Sequence, residues 1–250
     1  MNPLRNNHGQ PVGFPVQDWS PPPLPSLEVL TGHCCRLEPL DPERHAEQLH
    51  AANSLEADDR GWSYVAYGPF ATAADYRHWT ETYGQRDDHR FYAIIDLDSG
   101  RAAGVAAYLR MDPANGSIEV GAIKYTPLIS RQPAATEAMH LMMQHAFTLG
   151  YRRYEWKCDA LNEPSRLAAE RLGFSYEGTF CQALIYKGRN RDTAWFSVID
   201  REWPALKTAH EQWLAPDNFD AQGHQIVSLS GLTAALLRQH HWTVMPEEHQ

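Results

Sequence analysis

The 250-residue sequence has no run approaching the ~18 apolar residues of a membrane-crossing helix, so no membrane partner is expected. Positions 1–25 are polar and proline-rich, without the apolar stretch of a secretory leader. Cysteine is scarce. Cys34, Cys35, Cys158 and Cys181 form no C-x-x-C pair and no metal-finger spacing, which leaves buried thiols in a reducing cytosol as the plain reading. His45, His50, His145 and the pair His240-His241 lack a carboxylate or cysteine at ligand spacing, so the histidines read as scattered surface residues and no metal is expected. Positive charge is also in deficit. Against 31 acidic residues stand 22 Lys and Arg, a net charge of -9, and such a chain repels polyphosphate, so nucleic acid is not an expected partner. No internal repeat is visible. A soluble, cytoplasmic protein is the expectation, with enough residues for one large core.

What is present alternates between strand and helix signals. Seven prolines lie between Met1 and Ser26. At that density they forbid helix and ladder pairing, so this arm should lie extended, with Trp19 and Phe14 as its candidate anchors. His33 to Leu40 reads as a strand. Asp41-Pro42 opens a helix to about Asn53, with Asp41 as cap and Pro42 in the first turn. Arg60 to Phe70 is a loop carrying Trp62, Tyr64, Tyr67 and Phe70. Thr72 caps the next helix, which runs to about Gly84. Strands follow at Arg90 to Leu97 and Ala102 to Met111, joined by Asp98-Ser99-Gly100. Asn115-Gly116 turns the chain into a third strand, Ser117 to Tyr125. Ala134 to Leu149 is an amphipathic helix closed by Gly150. Arg152 to Asp159 is a strand, and Asn162 to Leu172 a helix ended by Gly173. Phe174 to Lys187 and Thr193 to Asp200 complete the strands, with the polar residues 188–192 as their turn. Trp203-Pro204 starts a helix to about Leu214, and a short one is expected near Leu232 to His240.

Hairpins on one side and strand-helix-strand on the other imply an α/β (α+β) fold: a mixed, mostly antiparallel sheet of six to seven strands with helices on both faces. The divisions expected are an arm over 1–30, a main domain over 31–203 and a helical extension over 204–250.

Four pieces of sequence then carry a resemblance. They are the loop Trp62-Ser63-Tyr64 with Gly68-Pro69-Phe70; Ile118-Glu119-Val120-Gly121 leading to Thr136-Glu137-Ala138; Asp159 to Arg166 with Asn162 and Ser165; and Ala168 to Phe174 with its Arg-Leu-Gly-Phe ending, followed later by residues 188–192. In this order they resemble the GNAT superfamily of acyl-CoA N-acyltransferases, RimJ/RimL-type branch, over about Cys35 to Trp203. The resemblance implies acetyl-CoA as co-substrate and transfer of its acetyl group to a primary amine: a small molecule, an aminoacyl-nucleotide or a protein N-terminus. One departure matters. Where the family's phosphate loop reads Arg/Gln-x-x-Gly-x-Gly/Ala, this chain has Ser130, Pro133 and Ala135, and proline brings no amide donor. The amides of Ala134, Ala135 and Thr136 remain for a diphosphate, with Arg131 and Gln132 beside them.

By the same resemblance the amides near Ala122, Ile123 and Lys124 polarise the thioester carbonyl. Glu119 receives the amine's proton or holds the amine; burial favours a neutral carboxyl, which suits a base. The alternative for Glu119 is a solvent-side carboxylate, or one paired with Lys124 or an arginine. Asn162 is a sufficient helix cap by itself, and the resemblance adds cofactor contact there and at Ser165. Trp62 and Tyr64 line an acceptor pocket or simply tie down their loop. Glu137 suits the helix dipole and needs no chemical role. The other reading of the whole is a non-catalytic acyl-CoA-binding or interaction module on the same scaffold. A monomer or homodimer fits either.

Overall fold

The computed structural model describes residues 4–238, so His240, His241 and the far end of the last expected helix lie outside it. A two-strand ribbon comes first: β1 (Leu4–Arg5) and β2 (Pro11–Val12) pair antiparallel. The expectation that proline bars all pairing in the arm is therefore corrected. Pro11 sits in a ribbon whose edges are both free, so its missing N–H costs nothing, and Asn6 Oδ1 stitches the turn by accepting from His8 N and Gln10 N. Trp19 does anchor the arm: its indole N–H reaches Ala114 O at 3.4 Å, and Arg152 lies over its ring. Phe14 is exposed and anchors nothing among the described residues.

The main sheet has eight strands in the order β3-β4-β5-β6-β7-β8-β10-β9. These are β3 (Leu30–Thr31), β4 (Cys35–Pro39), β5 (Arg90–Asp96), β6 (Arg101–Asp112), β7 (Ser117–Tyr125), β8 (Arg153–Asp159), β9 (Ser175–Tyr186) and β10 (Arg189–Ile199). Six or seven strands were expected. The extra one, β3, is two residues long, too short for alternation to show in sequence. The polar residues 189–192 also differ from expectation. They belong to β10, because the turn is only Lys187-Gly188, both in the left-handed region, as two-residue hairpin turns require. Every neighbouring pair is antiparallel except β7 with β8.

Helices α1 (Pro42–Asn53) and α2 (Ala73–Thr82) cover one face, starting where the caps predict. Asp41 accepts from the amides of Glu43 and Arg44, and Thr72 forms a capping box with Asp75. The other face holds α3 (Pro133–Thr148), α4 (Glu163–Arg171), α5 (Trp203–Leu214) and α6 (Leu229–Thr233). The final helix thus starts and ends earlier than Leu232 to His240, since Ser228 caps it by accepting from Gly231 N. Central strands are apolar on both sides because both faces are covered. In β5, Phe91, Ala93 and Ile95 face α1 and α2, whereas Tyr92 and Ile94 face α3. Trp203, Leu206, Trp213 and Leu229 share the core of the α3 face.

The histidine expectation fails for four residues. His45, His140, His145 and His210 are buried, and burial holds each below the ordinary imidazole range. Their helical positions turn inward, where the polar ring tips meet other groups: His210 Nε2 lies 3.0 Å from Leu172 O, and His45 Nε2 3.3 Å from Glu38. Among the cysteines, Cys35 and Cys158 are buried, Cys34 is half-buried, and Cys181 lies exposed on the β9–β10 hairpin.

Candidate active site

The feature that makes a site is a parting of strands. β7 and β8 pair only from Ser117↔Arg153 to Val120↔Trp156. Beyond that point Gly121–Tyr125 follows β6, while Lys157–Asp159 follows β10, so a wedge opens between two adjacent parallel strands. A bulge sharpens the parting. Gly121 pairs with Ala107 and Lys124 with Val105, so Ala122 and Ile123 together face Ala106 alone. Ala122 takes the left-handed conformation, with φ +50, and Tyr67 donates its hydroxyl to Ala122 O at 2.9 Å. The three positions assigned to the thioester thus lie in or beside the irregular part of the strand.

α3 begins at the mouth of this wedge. Pro133 occupies its first turn, where a missing N–H breaks no helical bond. Gln132 is the N-cap but makes no side-chain capping bond. Ala135 N turns back to Gln132 O, and Arg131 has positive φ with its side chain exposed. Thr136 is buried, and its hydroxyl accepts from Arg171 at 2.8 Å. A helix start without a side-chain cap, with an exposed arginine next to it, suits an anion. On that observation the residues fit a nucleotide diphosphate despite Pro133. Glu137, one residue on, is occupied elsewhere. Its carboxylate accepts from the amides of His33, Cys34 and Cys35, each at 2.7 Å, and so fastens β4 to α3.

Glu119 sits on β7 before the parting, on the face turned toward α1 and α2, with its side chain 3% exposed. Arg110 holds Oε1 at 2.6 Å, and the Lys157 ammonium lies 2.9 Å from Oε2. It is thus no isolated buried acid, and Lys124 is not its partner. Lys124 pairs instead with Glu56, its ammonium 4.7 Å above the Trp62 ring. Gly121 lies on the same face. A Cβ there would stand 3.3 Å from Glu119 Oε1 and 2.7 Å from Leu109, so glycine is what lets the Leu109 side chain pack over the strand beside the carboxylate.

Asn162 caps α4 by accepting from Ser165 N, and Ser165 Oγ accepts the Trp156 indole N–H at 3.0 Å. Both stand just past the end of β8. Burial pushes the Cys158 thiol up, which weighs against a nucleophile there. Trp62 is buried, edge-on to Tyr67 and Phe70, whereas Tyr64 is 39% exposed and reaches Leu161 O at 3.3 Å. Beside Trp62 is a cavity of about 410 Å³, bounded also by Asn53, Glu56, Phe70 and Tyr76. Sequence reasoning missed Arg110, Lys157 and Lys187, whose ammonium donates to Trp62 O at 2.9 Å from the hairpin tip. Their partners lie 9, 38 and 125 positions away, and no local pattern signals such pairs.

The Acetyltransferase (GNAT) domain family matches residues 35–175. The chain belongs to the GNAT acetyltransferases. A solved GCN5-related N-acetyltransferase from Brucella melitensis is 50% identical to this GNAT protein, covers 88% of it and 100% of its own chain, and superposes with a TM-score of 0.86. "Putative ribosomal N-acetyltransferase YdaF" from Bacillus subtilis (strain 168) is 27% identical over 179 residues, 68% of this chain and 92% of that one. A structure of RimL, a ribosomal L7/L12 alpha-N-protein acetyltransferase, in complex with coenzyme A shares the fold at 22% identity and a TM-score of 0.57, over 69% of this chain and 99% of its own. The wedge, the helix that starts at its mouth and the strand order are therefore those of an N-acetyltransferase. Among the described residues no helix is long and apolar enough to cross a membrane.

Proposed function

We propose that this acetyltransferase moves an acetyl group from acetyl-CoA to a primary amine by direct attack within a ternary complex. The observation that carries the reading is the parting of β7 from β8 after Val120 and Trp156, with the start of α3 at its mouth and Glu119 at its base. Acetyl-CoA, when bound, supplies an activated thioester. The first amides of α3, at Ala134, Ala135 and Thr136, hold the diphosphate, Ala135 N giving up its bond to Gln132 O to do so, with Arg131 and Gln132 adding side-chain donors. Main-chain groups at Ala122 and Ile123 lie in the bulge where β7 has left β8, placed to polarise a carbonyl, with Lys124 next to them and back in register with Val105.

The amine must lose a proton to attack. Glu119 takes it, directly or through a water. Arg110 and Lys157 fix how this carboxylate is turned, which favours an oriented proton acceptor over a loose one. Asn162 orients the cofactor arm from the cap of α4. Ser165 accepts from Trp156, and its hydroxyl can donate a hydrogen bond to the departing sulfur. Trp62 and Tyr64 border the acceptor side.

The name of the Bacillus relative favours a protein N-terminus as acceptor, ahead of small-molecule and aminoacyl-nucleotide amines. Calorimetric titration with acetyl-CoA, followed by thiol release over peptides with free N-termini, small amines and aminoacyl-nucleotides, tests this. Micromolar binding and turnover on the peptides are expected, with Glu119→Gln lowering kcat by at least about a hundredfold. Binding without turnover on any amine would refute the catalytic assignment.

A further inference from the structure

One face of the sheet carries a chain of opposite charges, both along β8 and across strands. Arg110 on β6 meets Glu119 on β7, which meets Lys157 on β8. Lys157 also holds Glu155 at 2.8 Å, Arg153 holds Glu155 at 2.6 Å, and Arg153 continues to Glu177 on β9. Most of such a ladder is ordinary sheet electrostatics, with opposite charges facing one another across strands. Lys157 is different in place and in setting.

Lys157 is the first residue of β8 beyond the last pair with β7, so it stands in the crotch of the wedge. Its side chain is 7% exposed. Its ammonium is fixed on three sides: by Glu119, by Glu155 and by the Trp195 ring, 3.7 Å from the centroid. It grips Oε2 of Glu119, whereas Arg110 takes Oε1, the oxygen nearer Gly121. The two cations therefore set which way the carboxylate turns before any substrate arrives. Arg110 is half exposed; Lys157 is enclosed.

We infer that Lys157 is a positioning residue for the transfer reaction, pinning Oε2 of Glu119 at the point where the strands separate and so fixing the direction in which the carboxylate turns. The inference rests on the reading of Glu119 as proton acceptor. The charged groups around that carboxylate are Arg110 from β6 and Lys157 and Glu155 from β8.

The test is a double-mutant cycle with pH profiles of kcat/KM, on the full chain with acetyl-CoA and whichever amine turns over. Lys157→Met removes one cation from beside the carboxylate. It should lower kcat/KM about tenfold and move the acid limb of the profile upward by about one pH unit, since a nearby positive charge normally favours the ionised carboxylate. Lys157→Arg should restore the limb. In a Glu119→Gln background Lys157→Met should cost nothing further, because its effect runs through Glu119. Glu155→Gln leaves Lys157 to Glu119 alone and should move the limb the other way. This variant still decides the matter if Lys157→Met does not fold, as judged by circular dichroism. Multiplicative losses in the cycle, or limbs that stay still in both single variants, overturn the inference. Full activity in Glu119→Gln would instead sink the assignment of Glu119 itself.

Discussion

Acid should loosen the helices behind the cofactor site before it unfolds the sheet, and His210 is the reason. The residue lies on α5 and is fully buried, with its ring 5.4 Å from that of His140 on α3 and its Nε2 at the carbonyl that ends α4. Burial, aided by the neighbouring His140 and Arg171, pushes its pKa down to about 4. In the unfolded chain it returns to about 6.5. Between those values the unfolded state binds the extra proton, so stability is complete above pH 6.5 and is lost as pH falls toward 4. A gap of about 2.5 pH units corresponds to roughly 3 kcal/mol from this one residue, a large share of a domain's usual 5–15 kcal/mol. Urea unfolding at intervals from pH 7.5 to 4 measures it. His210→Gln keeps an N–H at the Nε2 position for Leu172 O but cannot take up a proton. Its stability should decline less steeply over that window, by about 3 kcal/mol in total, leaving His140 and the carboxylates to account for the rest. Parallel curves for wild type and variant would refute the reasoning, because a ring that stays neutral at no cost in either state contributes no slope.

Other outcomes follow from single contacts. Glu137→Ala leaves the amides of His33, Cys34 and Cys35 without their shared acceptor; about 3 kcal/mol of stability should go, read by urea unfolding, and a loss under about 1 kcal/mol would mean water replaces the carboxylate. Ser165→Ala strands the Trp156 indole N–H, costing about 1–2 kcal/mol, and should also cut kcat about tenfold if the hydroxyl serves the leaving sulfur; an unchanged kcat in a correctly folded variant restricts Ser165 to structure. Asn162→Ala loses the α4 cap, about 1 kcal/mol by the same unfolding assay, and is expected to raise the KM for acetyl-CoA with little change in the KM for the amine.

Much of this protein is local and was therefore readable. Caps such as Asp41 and Thr72 act within three residues, and they mark helix starts in the sequence as they do in the fold. Alternation in residues 90–96 and 117–125 and the Asn115-Gly116 turn act over one strand or one turn, and they place β5 and β7. Where a signal needs length it failed: two-residue strands carry no period, and a polar run at a hairpin tip reads as a turn although its backbone still pairs. Burial of histidines was misread for a related reason. Side-chain polarity says outside, but helical phase decides, and His140 and His210 fall on the faces that α3 and α5 present to each other.

The order of the main strands and helices was readable in the sequence, because periodicity and turn chemistry are properties of neighbouring residues, and the motifs set in that order carried the resemblance to the family. The site was not. Which residues meet Glu119 depends on the register of three strands, a quantity that no short stretch encodes. A buried carboxylate on a strand could have been an isolated base or an ion-pair member. Only the packed sheet, bringing Arg110 from one side and Lys157 from the edge of the wedge, made it the second, since a charge removed from water must find its partner wherever the fold happens to place one.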